Sequence, residues 1–203
     1  MKIVEQSVDC LACTPDAVRL IEAAGRTCYK SEDKITDTSA EQFVRMVLKR
    51  GHESVIEHAS ATFRVVCDRG ISHEIVRHRI ASFSQESTRY CNYGSRGGEI
   101  KIVESLGIPE NVIQRRTRIM ELVEEEYLLE IKEGLAPQVA RDILPTYLKT
   151  EIVWTANFRE WRHVMRLRKS KAAHPKIRII AGLILEWFKE NYPVIVEDLI
   201  NEN

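Results

Sequence analysis

The chain has 203 residues, 44% of them apolar and 30% charged, a composition that suits one well-buried domain and argues against a disordered chain. Thirty Lys and Arg balance thirty Asp and Glu, which excludes a uniformly basic nucleic-acid coat. No apolar run reaches the ~20 residues of a membrane span. The start, Met1-Lys2-Ile3-Val4-Glu5-Gln6, places an acid where a signal peptide builds its apolar region. Five cysteines, an odd number without a secretory signal, set the expectation of a reduced, cytoplasmic protein.

In chain order, residues 2–8 read as a first strand. Thr14-Pro15-Asp16 reads as a cap with proline at the first helical position, opening a helix to about Cys28. Thr38 or Ser39 caps a second helix, where Ala40, Phe43, Val44, Val47 and Leu48 share one face and Gly51 ends it. From Ala59 to Cys67 the period becomes two, with Ala59, Ala61, Phe63, Val65 and Cys67 on one side of a strand. Asp68-Arg69-Gly70 turns this strand into a short helix through Ile71, Ile75 and Val76. Residues 80–98 carry little apolar periodicity and read as an ordered loop with a mobile tip at 94–98. Ile100–Val103 reads as a strand, and Pro109 starts a long helix stopped by Gly134. Ala136 to Leu144 reads as a helical turn. Tyr147 to Ala156 alternates as a strand with Leu148, Ile152 and Trp154 on one face. Asn157 caps a basic helix, and Pro175 opens a final one. The whole reads as a single domain over 1–203 of the α+β class, with a mixed or antiparallel central sheet flanked by helices.

The net charge of zero hides segregation. From Asn157 to Lys171 six basic residues face one acid, Glu160; Arg77, Arg79, Arg89 and Arg96 form a second basic cluster, and the acids gather on 121–133. In the basic helix, Trp161, Val164, Met165 and Leu167 are expected to pack inward with the arginines solvated. Arg162 and Arg166, spaced i, i+4, repel each other unless an anion lies between them.

Several motifs are set aside on spacing. Cys10-Leu11-Ala12-Cys13 has no second pair for a zinc site, and no metal is expected. His52-Glu53 and His73-Glu74 lack the second histidine four residues on, where Ile56 and Arg77 stand, so a zinc protease is rejected. No glycine-rich phosphate loop is present, which shifts phosphate binding to arginine. The densest constellation is Arg77 through Tyr90: three arginines, a histidine, hydroxyls, Gln85, Glu86 and two aromatics. That mixture suits phosphate, ribose and a planar base, or alternatively a solvated loop with an Arg–Glu86 pair. Ser87 as a nucleophile would need a general base that the sequence does not supply, so it reads as a binding hydroxyl. A nucleic-acid module built from the two basic clusters and Phe83, Tyr90, Tyr93 and Trp161 is the competing reading, opposed by the balanced charge.

Arg77-His78-Arg79, seven residues and then Ser87 resemble the R-H-R-x7-S signature of the flavin-dependent thymidylate synthases. Gly51-His52-Glu53-Ser54 through Glu57-His58 resembles that family's G-H-x-[ST]-x-x-E-H segment. Arg141-Asp142-Ile143-Leu144-Pro145 resembles its A-R-x-x-L-P segment, and Asn157-Phe158-Arg159 with Arg168 its N-x-R…L-R block. Order and spacing agree over roughly 50–175. The resemblance implies reductive methylation of dUMP to dTMP, with 5,10-methylenetetrahydrofolate as one-carbon donor and NADPH-reduced FAD as hydride source. It implies flavin contacts from Ser54, Arg77, His78, Arg79, Gln85, Asn157, Arg159 and His163. A dUMP site would comprise Glu74, Arg77, Gln85, Glu86, Ser87, Thr88, Arg89, Arg141 and Arg168, with Arg168 catalytic against the uracil edge. It also implies a homotetramer with shared active sites and no partnership with nucleic acid or membrane. Many members have Gln at the position of Glu74, Glu at that of Gln85 and Asn at that of His163.

Overall fold

In a computed structural model the described residues are 1–95, 99–105 and 107–200; Arg96, Gly97 and Gly98, read above as part of a basic cluster and a loop tip, lie outside them. The elements begin with β1 (Lys2–Val4), β2 (Ser7–Cys13), α1 (Ala17–Tyr29), α2 (Ser39–Lys49), β3 (Ser60–Asp68), α3 (Arg69–Ile75) and β4 (Ala81–Gln85). They continue with β5 (Lys101–Val103), α4 (Glu110–Lys132), α5 (Pro137–Ala140), β6 (Lys149–Asn157), α6 (Phe158–Lys169), α7 (Pro175–Asn191) and α8 (Pro193–Val196). One parallel pair joins β1 to β5, with Ile3 opposite Ile102. A four-stranded sheet has the order β2-β3-β6-β4. Its central pair is antiparallel: the Phe158 amide donates to Ala59 O at 2.8 Å, and the Arg69 amide to Leu148 O at 3.0 Å. The class is α+β, as the sequence pattern predicts.

Contacts divide the chain into two compact units. The first comprises Met1–Ser7, Val66–Arg77 and Ser84–Ile152. Its core gathers Ile100, Ile102, Met120, Tyr127, Ala140 and Leu148, because α4 lays its Met120 and Tyr127 stripe on β5 and the start of β6. The second comprises Val8–Val65, His78–Phe83 and Val153–Asn203. Here Phe63 of β3 meets Trp161 of α6 and Trp187 of α7 edge-on, at centroid distances of 5.0 and 5.1 Å. Such edge-to-face pairs add to the burial of the rings themselves. The Trp161 Nε1 donates to Ala61 O at 3.1 Å, so the indole is both packed and satisfied, locking α6 to β3.

Two strands pass into helices with no intervening loop, each stopped by a side chain. Asp68 accepts the Ile71 amide at 2.8 Å and starts α3; Asn157 accepts the Glu160 amide at 2.8 Å and starts α6. The Asn157 cap is as the sequence predicts; at Asp68 the predicted turn into a short helix is a side-chain cap. Other expectations are corrected. The first strand is two, β1 and β2, which pair in different sheets. Asp16 rather than Pro15 borders α1; it sits in the left-handed region at φ 46° and makes no side-chain cap bond. Residues 81–85 form β4, because Ala81, Phe83 and Gln85 are half buried while Ser82 and Ser84 face out, an alternation that small polar residues conceal. In α6, Leu167 is 47% exposed, whereas Arg162 is only 1% exposed, the reverse of the expected facing. Among the described residues no helix is long and apolar enough to cross a membrane.

Helices α1 and α2 approach closely at Gly25, where an added Cβ would lie 2.5 Å from two ring atoms of Phe43 and 3.0 Å from Val55. Phe43 is itself buried and carries the Arg26 guanidinium 4.7 Å above its ring, so it has little freedom to yield. Gly25→Ala gains about 1 kcal/mol of helix propensity but is expected to lower stability by about 1–2 kcal/mol net through overpacking. Urea unfolding measures this, and a partial restoration by Phe43→Leu in the double variant identifies the ring as the obstacle.

Candidate active site

In the second unit, His78, three residues past α3, meets α6. His78 is buried. Its Nδ1 lies 3.1 Å from Glu160 Oε1, and its Nε2 accepts from Arg168 Nε at 3.0 Å. A guanidinium only donates, so Nε2 must carry the lone pair and the proton resides on Nδ1, donated to Glu160. Glu160 and Arg168 lie eight residues apart on α6, two turns and somewhat more, and so grip the imidazole from one helix. Burial, then the cation of Arg168 and then His163, lower the His78 pKa from 6.5 to about 4. The ring is therefore neutral at pH 7. Burial raises the Glu160 carboxyl above its ordinary value.

His163, one turn from Glu160, stands edge-on to His78 at 5.7 Å. The donor atoms of His78, Glu160 and His163 fall within 4.8 Å of one another, a spacing suited to a metal ion. The Arg168 bond decides against that use. It fixes the tautomer so that Nδ1 presents a proton, not a lone pair, to the cluster, and the arrangement works as a hydrogen-bond relay. Trp154 packs beside His78 at 5.5 Å, and its Nε1 is buried with no hydrogen-bond partner among the described residues. Arg159 donates to Glu57 at 2.6 Å and stands 3.8 Å from Glu53, tying α6 to the 3-10 turn Glu53–His58 that carries Ser54. Arg79 and Ser54 are exposed, and Arg79 has no partner among the described residues. Asn157 spends its Oδ1 on the α6 cap.

In the first unit, the segment 85–89 meets α3, α5 and β6. Gln85 Nε2 donates to Ser72 Oγ at 2.8 Å and to Thr150 Oγ1 at 3.1 Å. Ser72 gives its own proton to Arg69 O at 2.9 Å, so it can only accept here, and an amide rather than a carboxylate satisfies it. That is a physical reason for Gln at this position. Glu86 has both oxygens engaged, one by the Tyr93 hydroxyl at 2.8 Å and one by Lys149 at 3.0 Å. Burial, followed by the nearby Glu86 charge, pushes the Tyr93 phenol up. Thr88 accepts from Arg141 at 3.4 Å, and Arg89 donates to Gln138 at 3.2 Å with its guanidinium 5.3 Å over the Tyr90 ring. Among the described residues neither Arg89 nor Arg141 has a carboxylate partner. Ser87 Oγ accepts from the Arg89 amide at 3.3 Å, an orienting contact and not a general-base pair. Arg77 is exposed without a side-chain partner among the described residues, and Glu74 is half buried on α3. Thus 85–89 and 141 are brought together in the first unit, and 54, 78, 157, 159, 163 and 168 in the second.

The family model described as thymidylate synthase complementing protein matches residues 9–194. The chain belongs to this family. Among relatives, the flavin-dependent thymidylate synthase of Corynebacterium efficiens is 35% identical over 96% of this chain and 90% of its own length. That of Geobacter sulfurreducens is 33% identical over 91% of this chain and 83% of its own. Two solved structures share the fold. A UMP/dUMP methylase from Streptomyces cacaoi bound with 5-Br dUMP aligns with a TM-score of 0.83 at 24% identity, covering 97% of this chain and 96% of that one. Thymidylate synthase X from Helicobacter pylori with FAD and dUMP gives 0.79 at 23%, covering 97% and 100%.

Sequence reasoning placed the family's motif residues but missed those beneath them. Glu160, Trp154, Ser72, Thr150 and Lys149 carry no motif; only Glu160 had a signal, standing three residues after the Asn157 cap. Since the folded His78 takes up its proton only near pH 4, while the unfolded chain does so near 6.5, its contribution to stability is whole above pH 6.5. It declines as pH falls toward 4. Replacing Arg168 with Gln removes the second of the causes and is expected to raise the His78 midpoint toward 6.5 in an NMR titration. A midpoint that stays near 4 would assign the shift to burial and His163.

Proposed function

We propose that the chain is a flavin-dependent thymidylate synthase, acting as one functional domain over residues 1–203. It methylates dUMP to dTMP with 5,10-methylenetetrahydrofolate as donor. Membership of the family and the names of relatives a third identical over most of their length support the reaction. The observation that carries it to this chain's own residues is the meeting of Arg89 and Arg141 around Ser87 and Thr88. Two cations without carboxylate partners among the described residues, beside two hydroxyls, make a phosphate-binding cluster. Arg77 would add a third cation, and Gln85, anchored by its amide nitrogen, keeps an oxygen to accept from the nucleotide. Glu74 and Glu86 border this site. With both of its oxygens engaged, Glu86 serves to hold the segment.

The second unit's residues fit FAD: exposed Ser54 and Arg79, the latter unpaired among the described residues, suit hydroxyls and phosphate, and Trp154 Nε1, without a partner among the described residues, is a buried donor beside His78. Asn157, Arg159 and His163 would complete the contacts. FAD, reduced by NADPH, supplies the hydride when bound. Arg168 then acts on the pyrimidine. Its guanidinium is held by neutral His78, which Glu160 orients, so a fixed cation faces the uracil edge and stabilises negative charge developing at N3. A protonated His78 would point a hydrogen at Arg168 and break that hold. The chain works in the cytoplasm as a homotetramer whose sites draw on several subunits.

The first test is the visible spectrum of the purified protein with and without dUMP, followed by dTMP formation with methylenetetrahydrofolate and NADPH. A flavin spectrum perturbed by dUMP is expected. A colourless protein that takes up neither FAD nor dUMP would overturn the proposal and, if it bound RNA or DNA with steep salt dependence, would favour the nucleic-acid module. Arg168→Ala is expected to lower kcat about a hundredfold or more with the flavin retained. Arg141→Ala is expected instead to raise the KM for dUMP roughly tenfold, as loss of a charge-assisted contact does. Ser87→Ala should keep measurable turnover.

A further inference from the structure

Behind the flavin-contact segment lies a second cluster of charge that the reaction does not use. Arg162, in the middle of α6, is among the largest fully buried side chains, and its guanidinium has every direction filled. It donates to the carbonyl of Ile195, to Asp198 Oδ1 at 2.8 Å and Oδ2 at 2.6 Å, and to Glu53 Oε1 at 3.3 Å. Arg166, one turn on, donates to Glu53 Oε1 at 3.2 Å and Asp198 Oδ2 at 3.3 Å. The two carboxylates therefore lie between two cations that would otherwise repel. Burial opposes the ionised form of Asp198, but the Arg162 hydrogen bonds and charge outweigh it and hold the carboxyl below its ordinary value.

The geometry has a direction. Asp198 and the Ile195 carbonyl lie beyond residue 194, where the family match ends. Glu53 begins the 3-10 turn Glu53–His58, whose next residue is Ser54, and this turn has no side-chain cap at His52. A short 3-10 helix has poorer hydrogen-bond geometry than an α-helix and needs outside support. Glu53 supplies it, with Oε1 on Arg162 and Arg166 and Oε2 facing Arg159. If Asp198 loses its charge, Glu53 is the one anion left on buried Arg162 among the described residues, and Glu53 must be drawn inward.

We propose that Asp198 is a positioning residue for the flavin-contacting turn, setting the place of Ser54 through Arg162 and Glu53. The flavin part of this inference rests on the proposed function; the mechanical part does not. Two measurements separate them in Asp198→Asn, with Glu53→Gln as a second variant should the first fail to fold, and Glu197→Gln as the control. Glu197 pairs with Arg45 at 2.6 Å on the same tail without touching Glu53.

In flavin-free protein, amide exchange over 53–58 is expected to accelerate in Asp198→Asn and not in the control. In flavin-loaded protein, the Kd for FAD is expected to rise about tenfold, in the range of coupling carried by packed networks, with the KM for dUMP within twofold of the parent. Asp198→Glu, which keeps the charge, should recover most of the affinity. Unchanged exchange over 53–58, or unchanged FAD affinity despite faster exchange, would overturn the proposal. Faster exchange in a protein whose parent takes up no FAD would remove the flavin assignment and leave the tether standing.

Discussion

The hydrogen bond from the Glu160 amide to Asn157 Oδ1 decides where β6 stops and α6 begins. Every position on α6 is counted from it. Arg159, His163 and Arg168 reach the same neighbourhood only because the first turn starts at Phe158, and Arg162 turns inward from the same register. Asp68 does the equivalent work for α3, placing Ser72 under Gln85. Side-chain caps of this kind cost little chain and fix a rotation angle, which a loop of several residues would leave soft.

Charge is used in two opposed ways. Arginines with a structural task are matched to acids: Arg26 to Glu22, Arg45 to Glu197, Arg162 and Arg166 to Glu53 and Asp198. Arg77, Arg79 and Arg141, within the motifs, and Arg89, two residues past Ser87, lack such partners among the described residues. A chain of zero net charge thereby keeps positive charge uncancelled at these four positions. Arg168 donates to a neutral imidazole, which orients its guanidinium.

Much of this was legible in the residues. The period-two run of β3 put Phe63 and Val65 in the core, and Asn157 and Asp68 announced their helices. The motif spacing gave the family, because those spacings record a geometry that local rules alone do not encode. What stayed hidden depends on distant partners. Arg162 looks like a solvated residue to any periodic reading, and its burial follows from Glu53, 109 positions back, and Asp198, 36 ahead. His78 sits between two exposed arginines in sequence yet is buried, since Glu160 and Arg168 on a later helix enclose it. β4 escaped notice because Ser82 and Ser84 dilute its apolar face, and the single expected first strand split because nothing at Glu5-Gln6 signals a turn.

The zero-length junction at Asn157 also bears on how the chain tolerates changes of length. Adding one residue between Asn157 and Arg168 would rotate everything beyond it by about 100° around the helix axis. Depending on where the insertion falls, it would carry Arg168 away from His78 or bring a different side chain against Asp198. No flanking loop is present to absorb the slip at its start, so insertions and deletions within α6 should be far rarer in functional descendants of this gene than substitutions at its exposed positions.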